Sequence, residues 1–125
     1  MSRCPIDYSL CRDTVTVYRL QRDCVLRQVV ERCLFQWEEQ TVTDASGSRM
    51  GRSFLLIVPG TVQNVFPGDR VYEGIGPEIT LQEWPQFIPA CVQGLGQVSY
   101  VKPCRWDGQL RHVEAGNRRT VQPQL

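Results

Sequence analysis

Six cysteines and one histidine hold most of the reactive chemistry in this chain: Cys4, Cys11, Cys24, Cys33, Cys91, Cys104 and His112. Zinc would need ligands in closely spaced pairs. No Cys-x-x-Cys pair occurs, the spacings are irregular, and there is only one histidine. A secreted disulfide scaffold would need an even cysteine count, which is met, and an export signal. Residues 1–7 have no apolar core after the first charge, so the expectation is a cytosolic origin with reduced thiols. On that reading Cys33 and Cys91 pack as small hydrophobes, and Cys4 and Cys11 lie in a mobile N-terminal segment. A pairing of Cys24 with Cys33 across a turn is geometrically open, with nothing in the sequence to require it.

Motifs for catalysis are missing. Gly94 and Gly96 lack the third glycine and the following helix of a phosphate loop, and no Gly-x-Ser-x-Gly elbow occurs. Ser46 and Ser48 have no histidine near them in sequence. His112 has no clustered acid and nucleophile, so it reads as a structural or interface histidine. Glu38 and Glu39 are adjacent on a predicted strand and therefore point to opposite faces. The chain reads as a non-enzyme with no cofactor and no metal. Arg105, Arg111, Arg118 and Arg119 make the C-terminal end basic, with Trp106 among them, and aromatics between arginines can stack bases. The near-neutral pI of 7.6 lacks the footprint of a dedicated nucleic-acid binder. These arginines are held as contacts to DNA or to a neighbouring protein.

The elements that position these residues centre on one long stretch, 25–59. Cys33, Phe35 and Trp37 alternate with Gln36, Glu38 and Gln40, the period of a half-buried strand running over 29–42. Phe54 to Val58 is apolar throughout and short, which predicts a central strand covered on both sides. Between them, 43–53 is built of loop formers without periodicity. A hairpin with an oversized flexible tip follows, and Asp44, Ser46, Ser48, Arg49, Met50 and Arg52 are its candidate interface residues.

The rest of the chain also reads as strands and turns. Asp13 to Leu20 is β-branched and alternating, with Tyr18 as a packing residue, and 21–24 turns the chain. A short strand is expected over 61–66, a tight turn at Pro67-Gly68-Asp69, a strand over 70–73 and a short one over 78–82. Pro85 and Pro89 forbid a regular helix over 83–89, so Trp84 and Phe87 plug a loop or single turn. Strands are expected over 91–102 and 110–115, with a loop over 102–109. The fold class is all-β, a small barrel or sandwich: an arm over 1–12, a single domain over 13–116 and a mobile tail over 117–125.

Fourteen basic and thirteen acidic side chains give a net charge of +1, so no global field steers the protein to nucleic acid or membrane. The distribution is uneven. Residues 1–32 carry six basic and four acidic side chains, 33–101 three and seven, and 102–125 five and two. No run reaches transmembrane length.

The order of features resembles small neck proteins encoded in the head-to-tail morphogenesis cluster of tailed phages and prophages, closest to a group from phages of Gram-positive bacteria. The matching features are the early strand from Asp13 to Tyr18, the strand from Val29 to Trp37, and the polar loop around Asp44 to Gly47. They continue with the apolar strand from Phe54 to Pro59, the run from Gly68 to Gly74, and the terminal run from Leu110 to Gly116. The cysteines and the proline-rich segment from Trp84 to Pro89 depart from that pattern; such proteins often carry a short helix there.

The resemblance implies a head-closure (stopper) protein of the virion neck, assembled in the bacterial host cytoplasm. It would be a β-barrel forming a homo-oligomeric ring, hexameric by the family's habit, between portal–adaptor and tail proteins. Packaged DNA would lie near its loops, and no membrane would be involved. A tail-terminator or adaptor in the same stack is the alternative within that class. A small β-barrel nucleic-acid-binding module is the alternative outside it.

Overall fold

The computed structural model describes residues 7–44 and 47–117, with side chains for 7–38 and 52–117. The described chain is almost entirely β. Seven antiparallel strands form one curled sheet in the order β5-β4-β1-β2-β3-β7-β6. They are β1 (Asp13–Gln21), β2 (Cys24–Asp44), β3 (Gly47–Pro59), β4 (Arg70–Glu73), β5 (Leu95–Gln97), β6 (Tyr100–Trp106) and β7 (Gln109–Gly116). The barrel- or sandwich-like all-β class expected from the sequence is the one observed.

Two corners convert this sheet into a core-enclosing shell. The first is within β2, which pairs with β1 from Cys24 to Cys33 and with β3 from Leu34 to Asp44. The register slips between Asp13 and Thr14, whose partners are Cys33 and Glu31, and the skipped Arg32 has φ 57°. One extra residue of this kind bends a strand and sharpens its twist, and strands that switch sheets turn their corners in this way. The second corner joins β5 to β6. Val98 N–H donates to the Asp69 carbonyl, beside β4, while Ser99 N–H donates to the Gly116 carbonyl at the end of β7 (both 2.8 Å). Gln97 and Tyr100 end strands on opposite edges of the sheet, yet three residue steps span at most ~11 Å. The sheet must therefore curl until its two outer strands approach within that distance at this corner.

The core fills the space between. Val15 and Val17 cluster with Phe54, Leu56 and Val58, and Val30, Cys33, Phe35, Val65, Val71, Val98 and Ala115 complete the core. Gly96 lies flat against Phe54; a Cβ there would sit 2.5 Å from the ring. The outer face of β1 is buried too. Tyr18 packs with Phe87 and Leu95 beneath residues 74–94, and its hydroxyl donates to the Pro77 carbonyl at 2.6 Å. Arg70 donates to the Trp84 and Phe87 carbonyls (2.5 and 2.8 Å) and lies 3.7 Å over the Trp84 ring. That pins the single 3-10 turn Trp84–Gln86 in the segment where the prolines exclude a regular helix. At the far end, Arg19 forms a two-pronged ion pair with buried Asp69 (2.9 Å each), and Asp69 also accepts from Phe66 N–H across the Pro67-Gly68 turn.

Several sequence expectations are corrected. Residues 43–53 are not a loop: the β2–β3 ladder continues to Asp44 opposite Gly47, and only 45–46, outside the described residues, remain for the tip. β2 begins at Cys24, not Val29. Residues 61–66 and 78–82 form no strand; Val65 is buried, but its neighbours are tied into turns instead of a ladder. Of the expected 91–102 strand, 91–94 form turns, 95–97 is β5 and the second corner interrupts the rest, while 102–106 is strand, leaving only Asp107 and Gly108 as the turn. Val58, Leu56 and Phe54 are buried, but Leu55 and Ile57 are only half-buried, so β3 is central without being fully covered. Cys91 is exposed, and Cys24 and Cys33 are free thiols on the same strand. Cys4 and the tail beyond 117 lie outside the described residues.

The closure gives a direct test. Gly96→Ala pushes a methyl into the Phe54 ring and is expected to destabilise by about 1–3 kcal/mol. Combining it with Phe54→Leu, which frees that space, should cost less than the two single changes summed. Urea-unfolding midpoints for the four proteins check this; strict additivity would mean that β5 does not pack on β3.

Candidate functional site: the projecting β2–β3 ribbon

Beyond the shell, β2 and β3 continue as a two-stranded ribbon. Its seven rungs run from Glu38 opposite Ser53 to Asp44 opposite Gly47, about 23 Å at ~3.3 Å per residue. β1 ends at Asp13 opposite Cys33, and β7 ends opposite Leu55. Among the described residues no third strand flanks either side.

The root of the ribbon is braced where its neighbours stop. On the β1 side, the Asp13 carboxylate accepts from Phe35 N–H at 2.9 Å. On the β7 side, the Asn117 side-chain amide accepts from Phe54 N–H (2.9 Å) and donates to the Arg52 carbonyl (3.3 Å). Each side chain supplies one more rung to a strand whose partner has ended. Between them, Trp37 packs edge-on to Phe35 and Phe54, with ring centroids 5.2 and 5.8 Å apart. The Arg52 guanidinium lies 4.2 Å over the Trp37 ring. Aromatic pairs of this kind contribute about 0.5–1.5 kcal/mol each beyond their buried area. The ribbon thus leaves the shell in a fixed direction.

The candidate interface residues fall on this ribbon. Asp44 ends β2; Ser48, Arg49 and Met50 stand on β3 opposite Thr43, Val42 and Thr41; Arg52 is at the root; Ser46 lies outside the described residues. The basic set is divided. Arg105 is exposed on β6 and Arg111 half-buried on β7, while Arg118 and Arg119 lie outside the described residues. Trp106 is half-buried, and its ring N–H, like Arg111 Nε, is enclosed with no hydrogen-bond partner among the described residues. Asn117, Asp13 and Tyr8 were not anticipated. Their roles come from contacts more than twenty residues away in sequence, and no local pattern announces them.

No protein-family model, curated protein or solved structure matches the chain.

Among the described residues, no three His, Cys, Asp or Glu side chains converge on a metal-sized site, and no helix is long and apolar enough to cross a membrane. Burial, with Asp13 and Cys11 adding, pushes the Cys33 thiol up to about 11, so it stays protonated and donates to the Asp13 carbonyl at 3.3 Å. His112 is buried on β7, and its Nδ1 lies 2.6 Å from the Tyr8 hydroxyl. With the ring proton on Nε2, Nδ1 accepts from Tyr8 and fastens the N-terminal segment across the sheet.

Burial lowers the His112 pKa, with Glu114 opposing. A depressed histidine pKa means that its stabilising contribution is complete above the unfolded value of ~6.5 and is lost as pH falls towards the folded value. The stability gap between the native protein and His112→Gln should therefore narrow as pH falls below ~6.5, read from urea midpoints across pH. A constant gap would separate His112 from any titrating role. At the root, Asn117→Ala should cost about 1 kcal/mol and speed amide exchange at Phe54 while leaving Val58 unchanged.

Proposed function

We propose that this protein is a non-enzymatic structural component of a tailed-phage or prophage neck. It would act as a ring-forming head-closure (stopper) protein between the portal–adaptor complex and the tail, where it helps to retain packaged DNA. The observation that carries this reading is the braced seven-rung ribbon. A two-stranded ribbon is marginal alone in water, and unpaired strand edges invite another chain. A shell that holds such a ribbon rigidly at its root is suited to place it against a neighbour. Repetition of one face meeting a different face of the next copy closes a ring when the rotation permits. The resemblance of its sequence features to phage neck proteins supports the setting, the virion neck assembled in the host cytoplasm. Tail-terminator and adaptor rings share the same requirements and remain in the same class.

A second reading draws on the β6–β7 hairpin, which carries Arg105, Trp106 and Arg111 within a few residues. A nucleic-acid module would use such a hairpin, with affinity falling steeply as salt rises. The enclosed Trp106 ring nitrogen weighs against base stacking there.

Replacing 39–52 by an Asn-Gly turn joins Glu38 to Ser53 in a short hairpin. This variant should keep the thermal midpoint of the native shell to within a few degrees, and it should lose ring formation, alone or on the portal–adaptor complex of the same genome. Sedimentation velocity reads both proteins. A ring that forms without the ribbon would overturn the reading, and salt-sensitive DNA binding by a monomer would favour the second.

A further inference from the structure

The seven-stranded sheet leaves three strand edges outside the ribbon, and two of them are protected. β5 is only three residues long. β6 carries Lys102 and Pro103 and a register shift at Cys104. Short length, lysine, proline and bulges are the usual defences against pairing with another chain. The third edge carries a guard only at its very end, the bulge at Arg32. Because β2 crosses from β1 to β3 at its bulge, among the described residues no strand faces the side of Cys24–Arg32 turned away from β1 and no backbone hydrogen bond reaches it. It is about 30 Å long at ~3.3 Å per residue. It contains no lysine, proline or glycine. Cys24, Leu26, Gln28, Val29, Glu31 and Arg32 are all exposed along it, with Leu26 at 38% and Val29 at 37%.

We infer that this edge receives the β2 limb of the ribbon from a second copy of the chain, so that the sheet continues from one copy to the next; this rests on the ring reading above. Length and charge both select that occupant. The limb from Glu38 to Asp44 presents a bare edge of comparable length and carries Glu38, Glu39 and Asp44 with no basic residue. The receiving strand has Arg27 and Arg32 five residues apart; Glu39 and Asp44 are also five apart. An antiparallel register therefore sets Arg27 opposite Asp44 and Arg32 opposite Glu39 together. The same register sets Val29 opposite Val42, Gln28 opposite Thr43 and Glu31 opposite Gln40, with no like charges facing. Directly opposed residues are the pairs that stabilise or destabilise a strand alignment. Arg27 also donates to the Gly76 carbonyl, which makes exposed Arg32 the cleaner site to test.

The experiment is a charge exchange followed by sedimentation velocity, with the portal–adaptor complex of the same genome as template. Arg32→Glu and Glu39→Arg should each weaken assembly about five- to tenfold per interface, while circular dichroism and thermal midpoint stay native. The double variant Arg32→Glu/Glu39→Arg should assemble again. If both single variants assemble like the native protein, or the double variant fails to recover, the edge proposal is overturned while the ring reading stands. If the native protein never assembles, alone or on the template, both fall.

Discussion

A strand has two hydrogen-bonding edges, and β2 uses one for its first half and the other for its second. This exchange at Arg32 is the constraint on which the other features depend. It lets one strand belong to two packed layers, so that Val15, Val17 and Val71 on one side meet Phe54, Leu56 and Ala115 on the other. It also leaves a bare edge on each half. One is the side of Cys24–Arg32 away from β1; the other is the side of Glu38–Asp44 away from β3. The left-handed φ at Arg32 is uncommon for a residue with a side chain and persists because both ladders over-determine it.

Much of this fold is legible in the sequence, because alternation and turn chemistry are local. The alternation of Cys33, Phe35 and Trp37, the β-branched run of β1, and the Pro67-Gly68 turn with Gly68 at φ 92° all match the structure. The two corners are not legible. A bulge at Arg32 leaves no mark in a pattern that reads as one continuous strand, and the break at Val98-Ser99 is set by which sheet each N–H can reach. The ribbon is not legible in the sequence for a related reason. Residues 43–53 contain few β-formers, yet cross-strand pairing, extended from a well-packed root, overrides weak local propensity.

The candidate site was legible in position but not in form. The sequence pointed to Asp44, Ser48, Arg49, Met50 and Arg52 as a flexible loop, whereas the structure places these positions on paired strands directed by Trp37, Phe54, Asp13 and Asn117. A directed ribbon and a loose loop make different assembly devices. A loose loop must be ordered at the interface, at the cost of its conformational entropy. A ribbon already in register loses less on binding and presents its backbone groups as a template for another strand. In the proposed assembly, the acidic limb of the ribbon would meet Arg27 and Arg32 of β2, which would give the uneven charge distribution a physical use.

The most direct test of this account is amide hydrogen exchange in Glu38–Asp44 and Gly47–Ser53, measured on the free protein and on the protein assembled with the portal–adaptor complex. The account predicts fast exchange for the outward-facing amides of the free ribbon beyond its braced root and strong protection of those amides in the assembly, together with new protection along Cys24–Arg32. Exchange that is unchanged in both segments on assembly would contradict it.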